Sequence, residues 1–309
     1  MNIQMYPTFS WSLSRHKTLM NCPKQYAFHY YASHNGWLRN ASPFAKKAYR
    51  LKKLTTLPLL FGNAAHEFIE QSLKDLIDGH NIPKKEVFNQ SIRDTLNHAF
   101  LSSTKTPYLW EERPSRHPML HEIYYDGEIS KEAIAEMNGR IEDSVTNFYE
   151  SKSYERLTNE QTQIIQVERW DRMMINDTLV YVSLDVLYRE EDEKWVIIDW
   201  KTGYEYEDDP LQLALYALFV LDKYSVSSLE NLVIRNEYLY LGKVKEYTLT
   251  EDLLSRVYYT MDASVREMKK YLVDEEKNQP VPLTAFPAYP EEKKCRRCPF
   301  REICEEKIL

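Results

Sequence analysis

The stretch Val180 to Gly203, VYVSLDVLYREEDEKWVIIDWKTG, decides how the rest of the chain is read. It divides into two strands, Val180–Arg189 and Trp195–Lys201, both rich in β-branched, aromatic and aliphatic residues. Between them Glu190 to Lys194 has no apolar side chain and forms the break. If Arg189 pairs with Trp195 across that turn, antiparallel counting sets Asp185 opposite Asp199, with Cβ atoms roughly 5 Å apart. Lys201 lies two residues past Asp199, so strand alternation aims it at the same face.

Two carboxylates and an ammonium then share one surface. Opposed carboxylates repel unless one is protonated or a cation lies between them. A divalent ion with oxygen ligands resolves the repulsion, and a lysine beside it suits a phosphate or an attacking water. The alternative is that both aspartates face solvent with Lys201 as a surface partner. This stretch alone leaves both readings open.

The 309 residues are enough for a large core, and 43% hydrophobic with 28% charged residues is an ordinary globular composition. Seven glycines and no GxGxxG or GxxxxGK pattern exclude the common phosphate-cradling loops. The first residues, MNIQMYPTFSWSLSRHK, lack the apolar core of a signal peptide, and no run is long enough to span a membrane, so a cytoplasmic location without membrane contact is expected. A net charge of −7 does not advertise nucleic-acid binding, but a local basic groove can sit on an acidic body. Lys46, Lys47, Arg50, Lys52 and Lys53 form one such cluster, and Lys293, Lys294, Arg296, Arg297 and Arg301 another. Such a cluster is more often just a solvated face.

In chain order, residues 10–31 read as helix interrupted at Cys22-Pro23. LLFGNAAHEFIEQSLKDLIDG, from Leu59, reads as a helix ending near Gly79, with Gly62 and Ala65 allowing close approach just before His66. Residues 88–156 read as a helical insertion with Ser130 as an N-cap, and Pro107–Tyr125 within it as an irregular loop. Gln163–Trp170 reads as a strand; alternation allows Glu168 an inward position, but a glutamate there is expected to face solvent. Asp209-Pro210 reads as N-cap and first residue of a helix whose Gln212 and Tyr216 share a face. A hairpin from Leu232 to Leu249 and an amphipathic helix from Thr250 follow. The C-terminal KKCRRCPFREIC places Cys295, Cys298 and Cys304 within ten residues, and Cys22 completes the four cysteines of the chain. Such spacing points to a metal or cluster site, and without a secretion signal a disulfide is the weakest option. Zinc and an iron–sulfur cluster both accept four thiolates, and spacing does not separate them.

These blocks together resemble the PD-(D/E)XK nuclease superfamily, in the RecB-like branch that includes the CRISPR-adaptation exonucleases. The match rests on SLSRHKTLMNCPKQYAFHY, FGNAAHEFIE, SLDVLY, IIDWKTG, QLALY and CRRCPFREIC, in that order along nearly the whole chain. The resemblance implies an α/β fold: a mixed central sheet flanked by helices, with a helical insertion and an iron–sulfur staple joining the chain ends. One nuclease unit would comprise a helical segment (1–58), a helical region and insertion (59–160), a nuclease core (161–275) and a cluster segment (276–309). His66, Asp185, Asp199 and the Trp200 carbonyl would hold Mg²⁺ or Mn²⁺, with the Trp200 side chain turned into the core. Asp185, Asp199 and Lys201 would be catalytic, Lys201 acting on the attacking water and the scissile phosphate. Gln212 and Tyr216 would support DNA or the lysine, and Cys22, Cys295, Cys298 and Cys304 would bind a 4Fe-4S cluster, with zinc as the lesser alternative. The implied activity is exonucleolytic, on single-stranded DNA or DNA ends, with unwinding left to a helicase or other recombination or defence protein. A non-catalytic DNA-end-binding or scaffolding subunit is the rival reading. Val182 replaces a glycine common in the family, Leu184 the proline of its name and Val186 a frequent arginine, departures that bear on strand preference.

Overall fold

The computed structural model describes residues 4–190 and 194–309; the centre of the anticipated Glu190–Lys194 turn lies outside the described residues. The chain opens with α1 (Leu13–Asn21), capped by Ser12, whose hydroxyl accepts from the Arg15 amide. Cys22 is extended, and Pro23 starts α2 (Pro23–Ala27), which runs on into one π-turn, Phe28–Ala32. Next come α3 (Pro43–Lys52), a two-residue β1 (Leu54–Thr55), and α4 (Leu57–Ile77), capped by Thr56 with Pro58 in its first turn. The region beyond contains α5 (Lys85–Lys105), α6 (Pro107–Glu112), β2 (Met119–Leu120), α7 (His121–Asp126), α8 (Lys131–Tyr149) and α9 (Lys152–Leu157). Pro107–Tyr125 is therefore not a loop. It holds two helical turns and a strand that pairs in parallel with β1, and its buried Trp110, Met119 and Leu120 anchor it. Sequence periodicity misses elements this short, because each contributes only one or two core residues.

Five strands form the central sheet: β3 (Gln163–Ile175), β4 (Thr178–Arg189), β5 (Trp195–Lys201), β6 (Leu232–Tyr238) and β7 (Lys243–Tyr247), in that spatial order. β5 and β6 are parallel and the other neighbours antiparallel, so the sheet is mixed. The parallel pair requires a crossover, supplied by α10 (Asp209–Lys223). β3 is five residues longer than its sequence suggested. It turns into β4 at Asn176 and Asp177, both with positive φ (45° and 58°), the two-residue hairpin geometry that Asn and Asp tolerate. The C-terminal part comprises α11 (Glu251–Lys269), capped by Thr250, the small hairpin β8 (Leu272–Asp274) and β9 (Gln279–Pro280), and α12 (Glu292–Arg297).

Each face of the sheet has its own apolar core. On one side Ile197, Ile234, Val180, Val182 and Leu184 pack with α1, α10 and α11 through Leu19, Leu215, Val257 and Met261. On the other Val196, Ile198, Trp200, Val186 and Tyr188 meet α4, α5 and α8 through Phe61, Ile69, Phe88, Ile141 and Phe148. β5 is covered on both faces, as parallel strands are. A third, smaller core of Phe28, Leu51, Trp110 and Phe300 brings the start of the chain, the insertion and the C-terminus together. No helix among the described residues is long and apolar enough to cross a membrane.

Candidate active site

The register counted from sequence is found: Arg189 pairs with Trp195, and the ladder runs to Val186↔Ile198. There it ends, one residue short of setting Asp185 against Asp199. Side-chain alternation shows why. Val180, Val182 and Leu184 lie in one core, but Val186 and Tyr188, of the same parity, lie in the other. β4 therefore rotates at Asp185 and parts from β5. The Trp200 amide donates to Asp185 Oδ2 at 2.7 Å, so a carboxylate takes over a backbone hydrogen-bonding role. The parting of the strands opens a cleft of about 510 Å³, within the range of sites that take nucleotide-sized ligands.

The cleft is lined by His66, Glu168, Asp185, Asp199, Lys201 and Gln212, with Tyr216 beside them. His66, on α4, sets Nδ1 3.3 Å from Asp185 Oδ1. One turn earlier Gly62 packs close to Thr202, whose Oγ1 would lie 3.1 Å from an added Cβ. Trp200 turns its ring into the core below, where its indole nitrogen donates to the buried Glu237 at 3.1 Å. Strand alternation leaves Asp199 and Lys201 on the opposite face, toward α10. Asp199 Oδ2 receives Lys201 Nζ at 2.7 Å and Asn236 Nδ2 at 2.8 Å, and its Oδ1 receives Gln212 Nε2 at 3.1 Å. Gln212 also accepts from Lys201 Nζ at 2.9 Å and donates to the Tyr216 hydroxyl at 2.6 Å. Gln212 and Tyr216 thus fix the lysine and the carboxylate together. Asn236 was not anticipated: its register opposite Asp199 on β6 becomes visible only once the crossover is known.

Burial pushes the Asp199 carboxyl up and Asp185 adds to this, while Lys201 and His66 oppose it. Burial pulls His66 down, but Asp185 above all, with Asp199 and Glu168, outweighs it and holds the imidazole at about 9. Burial also opposes the Lys201 ammonium, and Asp199 more than compensates, so its pKa rises. Glu168 takes the inward position that strand alternation allows, not the solvent-facing one expected of a glutamate. It lines the cleft, and burial together with Asp185 raises its pKa. Asp209 does not cap α10 either. It is the first helical residue, and its buried carboxylate accepts from the Tyr206 amide and the Tyr238 hydroxyl.

Hard oxygen donors beside an imidazole suit a hard divalent cation. A further buried acceptor, Asn236 Oδ1, next to Asp199, has no hydrogen-bond partner. As they stand, no three His, Cys, Asp or Glu side chains among the described residues converge closely enough to hold an ion. The carboxylates are instead neutralised by His66 and Lys201, and an entering cation must displace protons. In the metal-free protein the charged His66 adds stability that is complete below about 6.5 and is lost as pH rises through about 9. Mn²⁺ affinity should accordingly rise toward ten-fold per pH unit between pH 7 and 8. Calorimetry in two buffers of unlike ionisation heat should detect the released proton, and His66→Ala should remove it; an affinity flat with pH would contradict this charge assignment.

All four cysteines are free and line a second pocket. Burial, with smaller contributions from the other three cysteines, pushes the Cys298 thiol up to about 12. Lys24, Lys294, Arg301 and Lys307 line the same pocket, the first three paired with Glu306, Glu291 and Asp126. The sulfurs are not gathered at the spacing of a single-ion site.

A family model described as the PD-(D/E)XK nuclease superfamily matches residues 10–305. The chain belongs to that superfamily, whose members are in general nucleases. No curated protein matches the sequence. Among solved structures, one titled "Crystal structure of SSO0001" is similar at 16% identity over 61% of this chain and 82% of that one, with a TM-score of 0.28.

Proposed function

We propose that this protein is a Mg²⁺- or Mn²⁺-dependent deoxyribonuclease, an exonuclease acting on single-stranded DNA or DNA ends. The observation that carries the reading is the meeting in one cleft of His66 from α4, Asp185 from β4, and Asp199 and Lys201 from β5. His66, Asp185, Asp199 and the Trp200 carbonyl would hold the cation. When bound, such an ion acidifies a water and offsets charge on the phosphate. Lys201, locked by Gln212 and Asp199, orients the attacking water and faces the developing phosphate charge. Tyr216 holds Gln212 in place, and the buried Trp200 ring and Asn236 keep the end of β5 rigid.

Cys22, Cys295, Cys298 and Cys304 would bind a 4Fe-4S cluster with a structural role. The four thiols line one pocket drawn from both ends of the chain, a donor set that a 4Fe-4S cluster accepts and that zinc accepts as well. The 276–309 segment then closes onto the 1–58 segment around the nuclease core. Duplex unwinding falls to a partner such as a helicase of a recombination or defence complex.

Digestion of DNA labelled at either the 5′ or the 3′ end, single- and double-stranded, with Mg²⁺, Mn²⁺ or chelator, tests the assignment. Stepwise shortening from one end with either metal is expected. Cutting that is indifferent to chelator would overturn it.

A further inference from the structure

The basic cluster Lys46–Lys53 does not act as a unit. Lys47 pairs with Glu302 at 2.7 Å, and Lys52 and Lys53 lie over the rings of Tyr30 and Tyr49. Lys46 and Arg50 instead face a groove of about 570 Å³ between α3, the loop before it and the turn after α6. Three more cations border it: Arg39 from the loop, and Arg113 and Arg116 from the turn. Among the described residues none of these five has an ion pair, although Glu111 and Glu112 border the same groove.

Two aromatic rings stand among these charges. Trp37 packs edge-on against both His34 and Tyr49, centroids 5.6 Å apart in each pair, and is still 56% exposed. The loop carrying Trp37 and Arg39 is held rigidly. At Gly36 an added Cβ would lie 2.3 Å from the Ala45 carbonyl oxygen and 2.5 Å from Tyr49 Cβ, so only glycine permits this approach. Lys46 Nζ further donates to the Arg39 carbonyl at 2.6 Å.

Unpaired guanidinium groups beside an open indole, set in a concavity on an acidic protein, match the chemistry of a phosphodiester backbone with unstacked bases. We infer that this groove is a binding track for single-stranded DNA, separate from the cleavage cleft and feeding it. Stacking on Trp37 needs a base free of its partner, which a duplex does not offer. α3 leads through β1 directly into α4, and His66 follows Leu57 by about 14 Å along that helix axis. The groove and the cleft share no lining residue, and long and short substrates distinguish a strand that occupies both from one held at the cleft alone.

The inference rests on the DNA substrate proposed above, but its test does not need cleavage. Anisotropy of a labelled oligonucleotide of about thirty nucleotides, in chelator, should show Trp37→Ala weakening binding about ten-fold. Arg39→Ala, Arg50→Ala and Arg113→Ala combined should lower the slope of log affinity against log salt by about 2. Both variants should keep wild-type melting temperatures and Mn²⁺ binding. If the protein cleaves, they should lose efficiency on the long strand while a substrate of a few nucleotides is cut at the wild-type rate. Unchanged affinity and salt slope in both variants would refute the track, as would a loss confined to duplex. Absence of cleavage in the wild type, with groove-dependent binding retained, would overturn the nuclease reading and leave the track standing.

Discussion

Asp199→Ala and Lys201→Ala should each reduce Mg²⁺-dependent DNA cleavage by about a thousand-fold or more, through different losses. Asp199 is a metal oxygen donor in the proposed arrangement, and it also neutralises Lys201 at 2.7 Å. Its removal should abolish Mn²⁺ binding as well as turnover. It also strands a largely buried ammonium, so some fall in melting temperature is expected. Lys201 holds no metal in this scheme. Its alanine variant should retain Mn²⁺ binding, with the affinity altered by loss of the ammonium that neutralises Asp199, keep its apparent affinity for DNA and lose turnover. Gln212→Ala should give an intermediate defect, because the amide locks the lysine without meeting substrate. Cleavage that survives both Asp199→Ala and Lys201→Ala would place the chemistry elsewhere, or in a contaminant.

Much of this site is legible in the sequence because it is local. Asp199 and Lys201 share a face by strand alternation alone, and one assumed pair, Arg189 with Trp195, fixes the rest of the register. Helix starts at Ser130 and Thr250 are equally local, each hydroxyl accepting from an amide three residues on, whereas the first helix begins at Leu13 after a Ser12 cap and not at Ser10. What escapes is whatever depends on a neighbour distant in the chain. The rotation of β4 at Asp185 arises where two cores compete for one strand, and no single periodicity encodes that. Glu168 reads as a surface residue until α4 covers it, and Asn236 reads as an ordinary strand polar until β6 is placed beside β5. Asp209 precedes a proline in the usual pattern of a cap, yet Tyr238 draws its carboxylate inward.

Removing the group proposed for the four cysteines should cost the fold about 5 kcal/mol, the second large effect expected here. The figure follows from loop closure: joining Cys22 to Cys295 closes a loop of roughly 270 residues in the unfolded chain. Protein purified without oxygen should carry broad visible absorbance, and Cys298→Ser should abolish it and lower the melting temperature by many degrees. The two ends are not held by the cysteines alone, however. The Lys24 amide donates to the Pro287 carbonyl at 3.0 Å, and its ammonium meets Glu306 at 3.1 Å. Tyr31 donates to Asn278 at 3.0 Å, and the rings of Phe28 and Phe300 stand 5.6 Å apart. Loss of the cluster should therefore open α12, which has no buried residue of its own, to protease before the sheet melts, while buried Phe300 still tethers the chain end. Asp185 and Asp199 rest on cores that do not include this segment's cysteines, so Mn²⁺ binding should outlast the loss of colour at low temperature. A colourless, zinc-loaded protein of unchanged stability would reject the cluster. Simultaneous loss of colour and Mn²⁺ binding would mean that the two sites share one cooperative unit.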